Sequence, residues 1–309
     1  MVKVLYITGW GRSGSTILGN LLGQIPDFIS VGEIRHLSER GLGENRPCGC
    51  GEHFRNCSFW KSVLQDSFKS QEDYYNFAQQ TLRQKFMSSQ YLPLLYLPGR
   101  EKIFQKIWSQ YLISLENLYN SIQLNSQSKL IVDSSKSPLY AYALSLVPSI
   151  DLYVVHLVRD PRSVAYSWMR KKSQPDKGKD GYLPRYNPLK SSLQWSLVNA
   201  SAETLKAVSP DRFLTLRYED FVMYPHRKIT EILDFVKESE ADISFLDNNS
   251  AVLNTNHTFS GNPNRLQTGL IKLKLDDEWK LKMKPLDKFL VTIQNLPQLI
   301  KYHYLEESK

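Results

Sequence analysis

A glycine-rich turn near the start of the chain has the residue types that bind phosphate. Residues 9–16 read GWGRSGST and follow a short apolar run. Backbone N–H groups in such a turn converge on an anion, and the N-terminus of the following helix adds its dipole. Gly9 and Gly14 have the spacing of the triphosphate motif G-x-x-x-x-G-K-[ST], but Ser15 stands where that motif has lysine. The turn therefore predicts a phosphate site that does not hydrolyse ATP or GTP, and a plain strand-to-helix turn is the alternative.

A second set of phosphate-binding residue types occurs at the end of another apolar run. The segment HLVRDPRSVAYSWMRKK places Arg159 at the end of that run and Ser167 eight residues later. An arginine can fork onto a phosphate, and Ser167 shares a helix face with Ser163. The alternative is an ion pair between Arg159 and a carboxylate such as Asp160. Two separated phosphate sites indicate a nucleotide bisphosphate rather than a triphosphate.

The elements that must position these residues alternate between strand and helix. Four short apolar runs predict buried strands, namely Val2–Thr8, Lys129–Asp133, Leu152–Val158 and Phe213–Arg217. Helical patterns lie between or after them, at Thr16–Gln24, Arg100–Leu124 and Pro161–Lys172, the last with Asp160 as N-cap. This alternation predicts an α/β fold with a central, mainly parallel sheet of about 4–5 strands. Ligands bind such sheets at the carboxyl ends of the strands, where both phosphate motifs lie.

The string GRSGST after an N-terminal strand resembles the 5′-phosphosulfate loop of sulfotransferases that use PAPS (3′-phosphoadenylyl sulfate), which reads roughly [KR]-S-G-[ST]-T. The resemblance implies a P-loop-NTPase-like three-layer fold. It implies that Arg12 lies near the bridging oxygen and the sulfuryl group. The residues that would then cradle the 5′-phosphate are Ser13, Gly14, Ser15 and Thr16. Arg159 and Ser167 resemble the family's 3′-phosphate motif.

The same resemblance implies catalytic residues. Tyrosylprotein sulfotransferases and related enzymes have a glutamate 21 residues after the basic residue of the loop, and here that position is Glu33. Glu33 is therefore the predicted general base, with His36 as the rival base and an ordinary helix-start acid as the alternative. Lys136, in LIVDSSKSP, resembles the lysine placed against the transferring group, and a solvated turn lysine is the alternative.

Two later segments carry weaker signals. Tyr218, at the end of the fourth predicted strand, resembles a tyrosine that approaches the cofactor in several family members. The segment HTFSGNPNRLQTG resembles the loop that closes over the cofactor. It gives Ser260 as a candidate for the bridging region and Arg265 as a candidate for the 3′-phosphate. The Arg-Lys-Gly sequence usual in this loop of cytosolic sulfotransferases is absent.

A cysteine-rich segment, PCGCGEHFRNCSFW, stands apart from these motifs. Cys48, Cys50, His53 and Cys57 are four potential soft ligands within ten residues. Zinc would suit them, although the spacing is not that of a zinc finger. A disulfide to Cys57 is a second possibility that a reducing compartment disfavours. Plain packing of small residues beside Phe59 and Trp60 is the reading that the sequence favours.

Composition restricts the class of protein. The 309 residues are 41% hydrophobic and 23% charged, which excludes a collagen, a coiled coil or a mainly disordered chain. Three cysteines exclude a disulfide scaffold. No signal peptide is visible and no apolar run reaches the ~18 residues of a membrane span, so we expect a cytoplasmic protein. The net charge of +8 favours an anionic partner.

The chain is predicted to form a single domain over residues 1–309. A helical insertion is expected at about 59–126, where no motif is recognisable and acceptor choice is expected to lie. Residues 173–187 are polar and rich in glycine and proline, which is typical of a mobile loop.

These observations predict an enzyme that moves a sulfuryl group from PAPS to a hydroxyl and releases adenosine 3′,5′-bisphosphate. The acceptor class stays open between carbohydrate, tyrosine, lipid and small metabolite, and the oligomeric state is not predicted. No metal is required, because the donor has no β,γ-phosphate charge to neutralise. The alternatives are a P-loop kinase or NTPase using ATP and Mg²⁺, and a non-enzymatic binder of an anionic polymer. Lysine and arginine are spread along the chain, which argues against nucleic acid.

Overall fold

A five-stranded parallel sheet forms the centre of the structure, a computed structural model that describes residues 1–70, 72–74, 76–78, 89–174, 176 and 181–305. The strands are β1 (Val2–Thr8), β2 (Phe28–Gly32), β3 (Leu130–Lys136), β4 (Ile150–Val158) and β5 (Phe213–Arg217). Their order is β2-β3-β1-β4-β5, and every neighbouring pair is parallel. The predicted α/β fold is confirmed, with β2 as a strand that the apolar runs did not predict.

Helices connect and flank these strands. The α-helices are α1 (Ser15–Leu22), α2 (Ser58–Ser67), α3 (Arg100–Ser126), α4 (Pro138–Ser145), α5 (Pro161–Met169), α6 (Pro188–Val208), α7 (Tyr218–Met223), α8 (Pro225–Phe235), α9 (Trp279–Lys282), α10 (Pro285–Gln294) and α11 (Leu296–Lys301). A 3₁₀ turn at Ile34–His36 runs into a π-helical segment at Leu37–Gly43. Further 3₁₀ turns are Phe54–Asn56, Ser89–Tyr96, Pro210–Arg212 and Pro263–Leu266, and an antiparallel pair is β6 (Ser250–Leu253) with β7 (Gly269–Lys272).

Local sequence explains where several helices start. The helices α4, α5, α6, α8 and α10 begin with proline, whose fixed φ suits the first helical position and whose missing N–H costs nothing there. The predicted cap of α5 is confirmed, because the Asp160 side chain accepts a 2.8 Å hydrogen bond from the backbone N–H of Arg162. Asn187 caps α6 in the same way, through the backbone N–H of Lys190 at 2.8 Å.

The two faces of the sheet bury separate apolar layers. Along β1, Val4 and Tyr6 face the layer that contains side chains of α3 and α4, whereas Leu5 and Ile7 face the layer that contains α1 and α8. This follows from the two-residue period of a strand, and it makes β1 apolar on both sides. The result is three layers with the sheet in the middle.

Two predictions about organisation lie partly outside the described residues. In the described part of the predicted helical insertion, between β2 and β3, helix α2 packs against α3. Of the predicted insertion, residues 71, 75 and 79–88 are outside the described part, as are residues 175 and 177–180 of the predicted mobile loop. The single-domain organisation stays a prediction. Among the described helices, none has the length and apolar character needed to cross a membrane.

Candidate active site

The loops that follow the strands of the central sheet open into one cavity of about 710 Å³. This is the carboxyl edge at which open α/β sheets bind ligands. Its cationic lining residues are Arg12, Arg35, Arg40, Arg46, Lys136, Arg159, Lys172 and Lys274. Among the described residues, Glu33 and Asp276 are the carboxylates that line it. The cavity is therefore suited to a ligand with several negative charges.

The glycine-rich turn after β1 forms one wall of this cavity. Arg12 has a φ of 73° and Gly14 a φ of 91°, so the backbone is left-handed twice before α1 begins. A Cβ atom on Gly14 would lie 2.4 Å from the Tyr218 ring, so only glycine fits between that ring and the turn. The first turn of α1 carries no acidic side chain, which leaves its N-terminal N–H groups open to an anion.

Polar atoms in this turn lack partners. The Arg12 Nε and Ser13 Oγ atoms are buried, and within the described part of the chain neither makes a hydrogen bond. The Arg12 guanidinium stacks over the Trp168 ring at 4.7 Å. Burial, and then the nearby Arg170, lower the pKa of Arg12 to about 10, so it remains charged at neutral pH. Buried unsatisfied donors of this kind indicate a ligand-binding position.

Arg159 leaves the end of β4 on the opposite side of the turn. Its guanidinium donates to the Arg12 carbonyl oxygen at 2.9 Å and to the Asp276 carbonyl oxygen at 3.0 Å. It also lies over the Tyr218 ring at 4.4 Å, while its Nε is without a partner among the residues described. Ser167, on α5, lines the same cavity. The two predicted phosphate motifs are thus brought together.

Glu33 lies at the carboxyl end of β2, with cations on both of its oxygens. Lys136, the last residue of β3, donates to Oε1, and Arg40 donates to Oε2 at 2.8 Å. The Ser260 hydroxyl is 3.4 Å from the same Oε2 and accepts a 2.9 Å hydrogen bond from Arg40. The structure therefore brings the predicted base and the second predicted cation into direct contact.

The charge state of Glu33 follows from this surrounding. Desolvation raises the pKa of the Glu33 carboxyl, but Lys136 and then Arg40 outweigh that effect and hold the pKa well below its usual range. Glu33 is ionised at neutral pH. His36 is 3.7 Å from Glu33, and burial lowers the pKa of His36 to about 4 in spite of a 3.0 Å contact with Glu39. His36 is therefore neutral at pH 7.

The backbone around Lys136 is strained. Lys136 has a φ of 70°, and its carbonyl oxygen accepts hydrogen bonds from Gly9 N at 3.2 Å and Thr8 Oγ1 at 2.9 Å. Left-handed backbone is unfavourable for a residue with a Cβ, and it is enriched at functional sites. The two predicted catalytic cations, Arg12 and Lys136, share this conformation.

The late segment lines the cavity through Gly261, Asn262 and Asn264, and its Ser260 contacts Glu33. Gly32 has a φ of 71°, and a Cβ there would lie 2.7 Å from the Ser260 carbonyl oxygen, which explains how the segment approaches Glu33 so closely. Arg265 is fully buried, with its guanidinium 3.1 Å from Asp176 and bonded to the Pro47 carbonyl oxygen at 3.0 Å. It does not line the cavity.

Comparison with known proteins identifies the family. Residues 5–242 match the family model described as Sulfotransferase family. The chain belongs to the sulfotransferase family. The resemblance seen in the sequence motifs is confirmed. No curated protein shows a significant sequence match to the chain.

Solved sulfotransferase structures are similar to this chain at low identity. The sulfotransferase domain of the Synechococcus PCC 7002 olefin synthase is 22% identical, with 95% of this chain and 94% of that domain covered at a TM-score of 0.47. The sulfotransferase domain from the curacin biosynthetic pathway is 20% identical, with coverages of 95% and 97% and a TM-score of 0.48. Sulfotransferase STF1 from Mycobacterium tuberculosis is 17% identical, with coverages of 79% and 69% and a TM-score of 0.47.

Some residues of this sulfotransferase site were not found from sequence. Arg40, which donates to Glu33, sits in the π-helical segment, and no sequence pattern predicted that segment. Asp276 accepts a hydrogen bond from Arg159 through its carbonyl oxygen, and its carboxylate lies 3.5 Å from Arg159 and pairs with Arg170. It is a partly exposed acid that lies more than 100 residues after Arg159, and no sequence pattern predicted its role.

Of the four potential soft ligands noted in the sequence, three lie together in the structure and His53 does not. Cys48, Cys50 and Cys57 converge, and all three are free thiols. His53 turns away, since its Nδ1 lies 2.8 Å from the Asn45 carbonyl oxygen. The histidine that joins the cysteines is His257, 200 residues after Cys57.

Proposed function

We propose that this sulfotransferase transfers the sulfuryl group of PAPS to a hydroxyl acceptor and releases adenosine 3′,5′-bisphosphate. The observation that carries the proposal is the pair of anion sites on one cavity. One is the turn before α1, and the other is Arg159 at the end of β4. Two sets of phosphate-binding groups on one cavity suit a donor with two phosphates, as in a nucleotide bisphosphate.

The residues present fit this donor. Buried Arg12 Nε, Ser13 Oγ and Arg159 Nε have no partners among the described residues, and the turn leaves room only for glycine at position 14. The proposed 5′-phosphate ligands are the backbone and hydroxyl groups of Ser13, Gly14, Ser15 and Thr16. Arg159 and Ser167 would bind the 3′-phosphate, with Tyr218 beside them. Arg265 is left out of the proposed set, since it does not line the cavity and its Nη2 contacts Asp176 and the Pro47 carbonyl oxygen.

When bound, PAPS supplies a sulfuryl group on a phosphosulfate anhydride. In the proposed transfer the acceptor oxygen bonds to sulfur as the bond from sulfur to the bridging phosphate oxygen breaks, and Glu33 takes the acceptor proton. Arg12 and Lys136 stabilise the negative charge that develops on the leaving and equatorial oxygens. Both cations start from left-handed backbone, which sets the direction in which each side chain leaves its loop.

The contact between Lys136 and Glu33 implies that donor binding precedes proton transfer to Glu33. While its ammonium donates to Glu33, the carboxylate is too weak a base to accept a proton from a hydroxyl. We propose that Lys136 turns toward the sulfuryl oxygens when the donor is bound. The loss of its charge beside Glu33 then raises the pKa of the carboxyl and makes it a better base.

Apolar residues also line the cavity. They include Leu92, Pro138, Leu183, Pro184, Tyr186 and Val198. We propose that an acceptor binds here through an apolar or aromatic part next to its hydroxyl. Tyrosine, lipid, small-metabolite and carbohydrate acceptors all remain candidates, with those richest in apolar surface favoured.

Ligand-dependent thermal unfolding tests the proposal. Adenosine 3′,5′-bisphosphate at ~100 times its dissociation constant adds about 2.7 kcal/mol to the free energy of unfolding, which raises the melting temperature by several degrees. We expect Arg159→Ala to abolish that rise. Arg212→Ala is the matched control, because Arg212 pairs with Asp151 away from the cavity and the variant should keep the rise. A rise with ATP and Mg²⁺ but none with the bisphosphate would instead identify a kinase or NTPase.

A further inference from the structure

Four soft donor atoms converge on the side of the protein where the segment after β2 meets the late segment. Cys48, Cys50, Cys57 and His257 each offer one atom, and all four atoms lie within 4.8 Å of one another. The Sγ of Cys57 lies 3.8 Å from Cys48 Sγ, 3.7 Å from Cys50 Sγ and 3.4 Å from His257 Nδ1. Cys48 Sγ is 3.9 Å from the same nitrogen.

These spacings are those of a tetrahedral zinc site. Zinc binds thiolate at ~2.3 Å and imidazole at ~2.0–2.1 Å, so tetrahedral angles place two sulfurs ~3.8 Å apart and sulfur and nitrogen ~3.6 Å apart. Two of the three sulfur pairs, at 3.8 and 3.7 Å, match the first distance, and two of the three sulfur–nitrogen pairs, at 3.4 and 3.9 Å, bracket the second. The remaining pairs, Cys50 with Cys48 and Cys50 with His257, lie within 4.8 Å.

We propose that Cys48, Cys50, Cys57 and His257 bind one structural Zn²⁺ ion. Three cysteine sulfurs and one histidine nitrogen complete a closed tetrahedral site, which leaves no position for a substrate. A disulfide would need an S–S bond of ~2.05 Å and would use only two of the three sulfurs. All three cysteines are free thiols. A zinc ion, unlike a disulfide, would use all three sulfurs and the histidine nitrogen.

Neighbouring elements set the positions of two of the donors. Cys57 is the N-cap of α2, so the helix dipole favours a negative charge on its sulfur. The His257 ring stacks on Phe59 with ring centres 4.7 Å apart, which fixes the direction of its Nδ1. Such outer contacts orient and tune metal ligands.

The proposed zinc would join the cysteine loop to the late segment, which reaches Glu33. The cysteine loop is already pinned to the late segment by hydrogen bonds from Gly49 N to Thr258 O at 3.0 Å and from Trp60 Nε1 to His257 O at 2.7 Å. Ser260, three residues after His257, lies against Glu33. The zinc therefore acts by positioning Ser260 and takes no part in the transfer.

Metal analysis tests the proposal independently of sulfuryl transfer. Untagged protein from zinc-supplemented cells, measured by plasma mass spectrometry after gel filtration, should hold about one zinc per chain. Replacement of the ion by Co²⁺ should give the visible absorption bands of a tetrahedral thiolate site. Cys57→Ser and His257→Asn should lose most of the zinc. His53→Asn is the matched control, because His53 lies in the same loop outside the cluster, and it should keep the zinc.

Three results would overturn the proposal. The first is a negligible zinc content in the wild-type protein, and the second is a zinc content that Cys57→Ser does not lower. The third is an intact mass two hydrogens lighter than that of the reduced chain, which would reveal a disulfide. If the variants fail to fold, mercurial titration of the wild-type thiols replaces them. Zinc should then appear on a colorimetric chelator in step with thiol modification, and zinc release that does not follow the thiols would place the ion elsewhere.

Discussion

Replacement of Glu33 by glutamine separates the roles of this carboxylate in charge balance and in catalysis. Glutamine keeps the shape of the side chain and one oxygen acceptor, but it removes the negative charge from between Lys136 and Arg40. The two cations then face each other without a counter-ion in a buried site. The variant should be less stable and should transfer sulfate much more slowly.

The size of both effects can be estimated. Removal of one partner from a buried ion pair costs about 3–5 kcal/mol, and the retained oxygen places Glu33→Gln at the lower end, about 3 kcal/mol. For 309 residues that unfold as one cooperative unit, unfolding entropy of ~2.1 cal/mol/K per residue makes this about 5 °C in melting temperature. Loss of a general base lowers turnover at least ~100-fold. Affinity for the anionic donor should not fall, since a negative charge has been removed from the cavity.

The pH dependence of stability gives a second readout. The native pKa of Glu33 lies below its ordinary value of 4.5, so the unfolded chain binds more protons between the two values. The stability that Glu33 contributes is therefore present above pH 4.5 and is lost as the pH falls. The gap in stability between wild type and Glu33→Gln should shrink from pH 6 to pH 3.

Denaturant titration over this pH range and single-turnover transfer from labelled PAPS measure these effects. Glu39→Gln is the matched control for turnover, because Glu39 is a neighbouring carboxylate that is half-exposed and does not line the cavity. Unchanged turnover in Glu33→Gln would refute the base assignment. Unchanged stability at neutral pH would refute the ion-pair reasoning.

Three further predictions follow from single residues. In Gly14→Ala the new methyl group would collide with the Tyr218 ring, so this variant should lose the melting-temperature rise with adenosine 3′,5′-bisphosphate. In the control Gly99→Ala, where φ is 68° and the methyl group meets open space, the rise should be kept and only backbone strain of ~1–2 kcal/mol should appear. Equal losses of the rise in both variants would contradict the fit at Gly14. Burial raises the pKa of Asp133 to about 6, so wild-type stability should fall by up to about 3 kcal/mol as the pH rises from 4 to 7, and Asp133→Asn should remove this fall in denaturant titrations. Burial, and then Arg170 and Arg12, lower the pKa of Lys172 to about 8, so calorimetric affinity for the bisphosphate should drop between pH 7 and 9 in wild type but not in Lys172→Met.

Sequence reasoning was strongest where a local pattern determines local structure. The bounds of β1 and β5 agree with the prediction, because a continuous apolar run ending in a polar or glycine turn has one good solution in a covered parallel sheet. The short strand β2 was missed, since Phe28–Gly32 contains a serine and a glycine and has no strong apolar run. Glu33 consequently sits at a strand end rather than after a helix, which places it among the other site residues.

Sequence reasoning failed where the deciding contact is distant along the chain. His53 is the near histidine and the natural guess for the cysteine group, but its backbone position points it at Asn45. His257 reaches the cysteines only because the late segment folds back over the start of α2. The 3.1 Å contact between Arg265 and Asp176 likewise joins residues that are distant along the chain, and no local pattern predicts it.

The place of β1 in the sheet has a consequence for synthesis. β1 is made before the other strands, yet its two neighbours are β3 and β4, whose partner residues run from Leu130 to His156. At a ribosomal rate of 5–20 residues per second, the interval of about 120 residues between β1 and β3 lasts about 6–24 s. During that time a strand that is apolar on both faces has neither edge paired. The innermost strand of the finished sheet is thus the one that depends longest on protection from aggregation while the chain is being made.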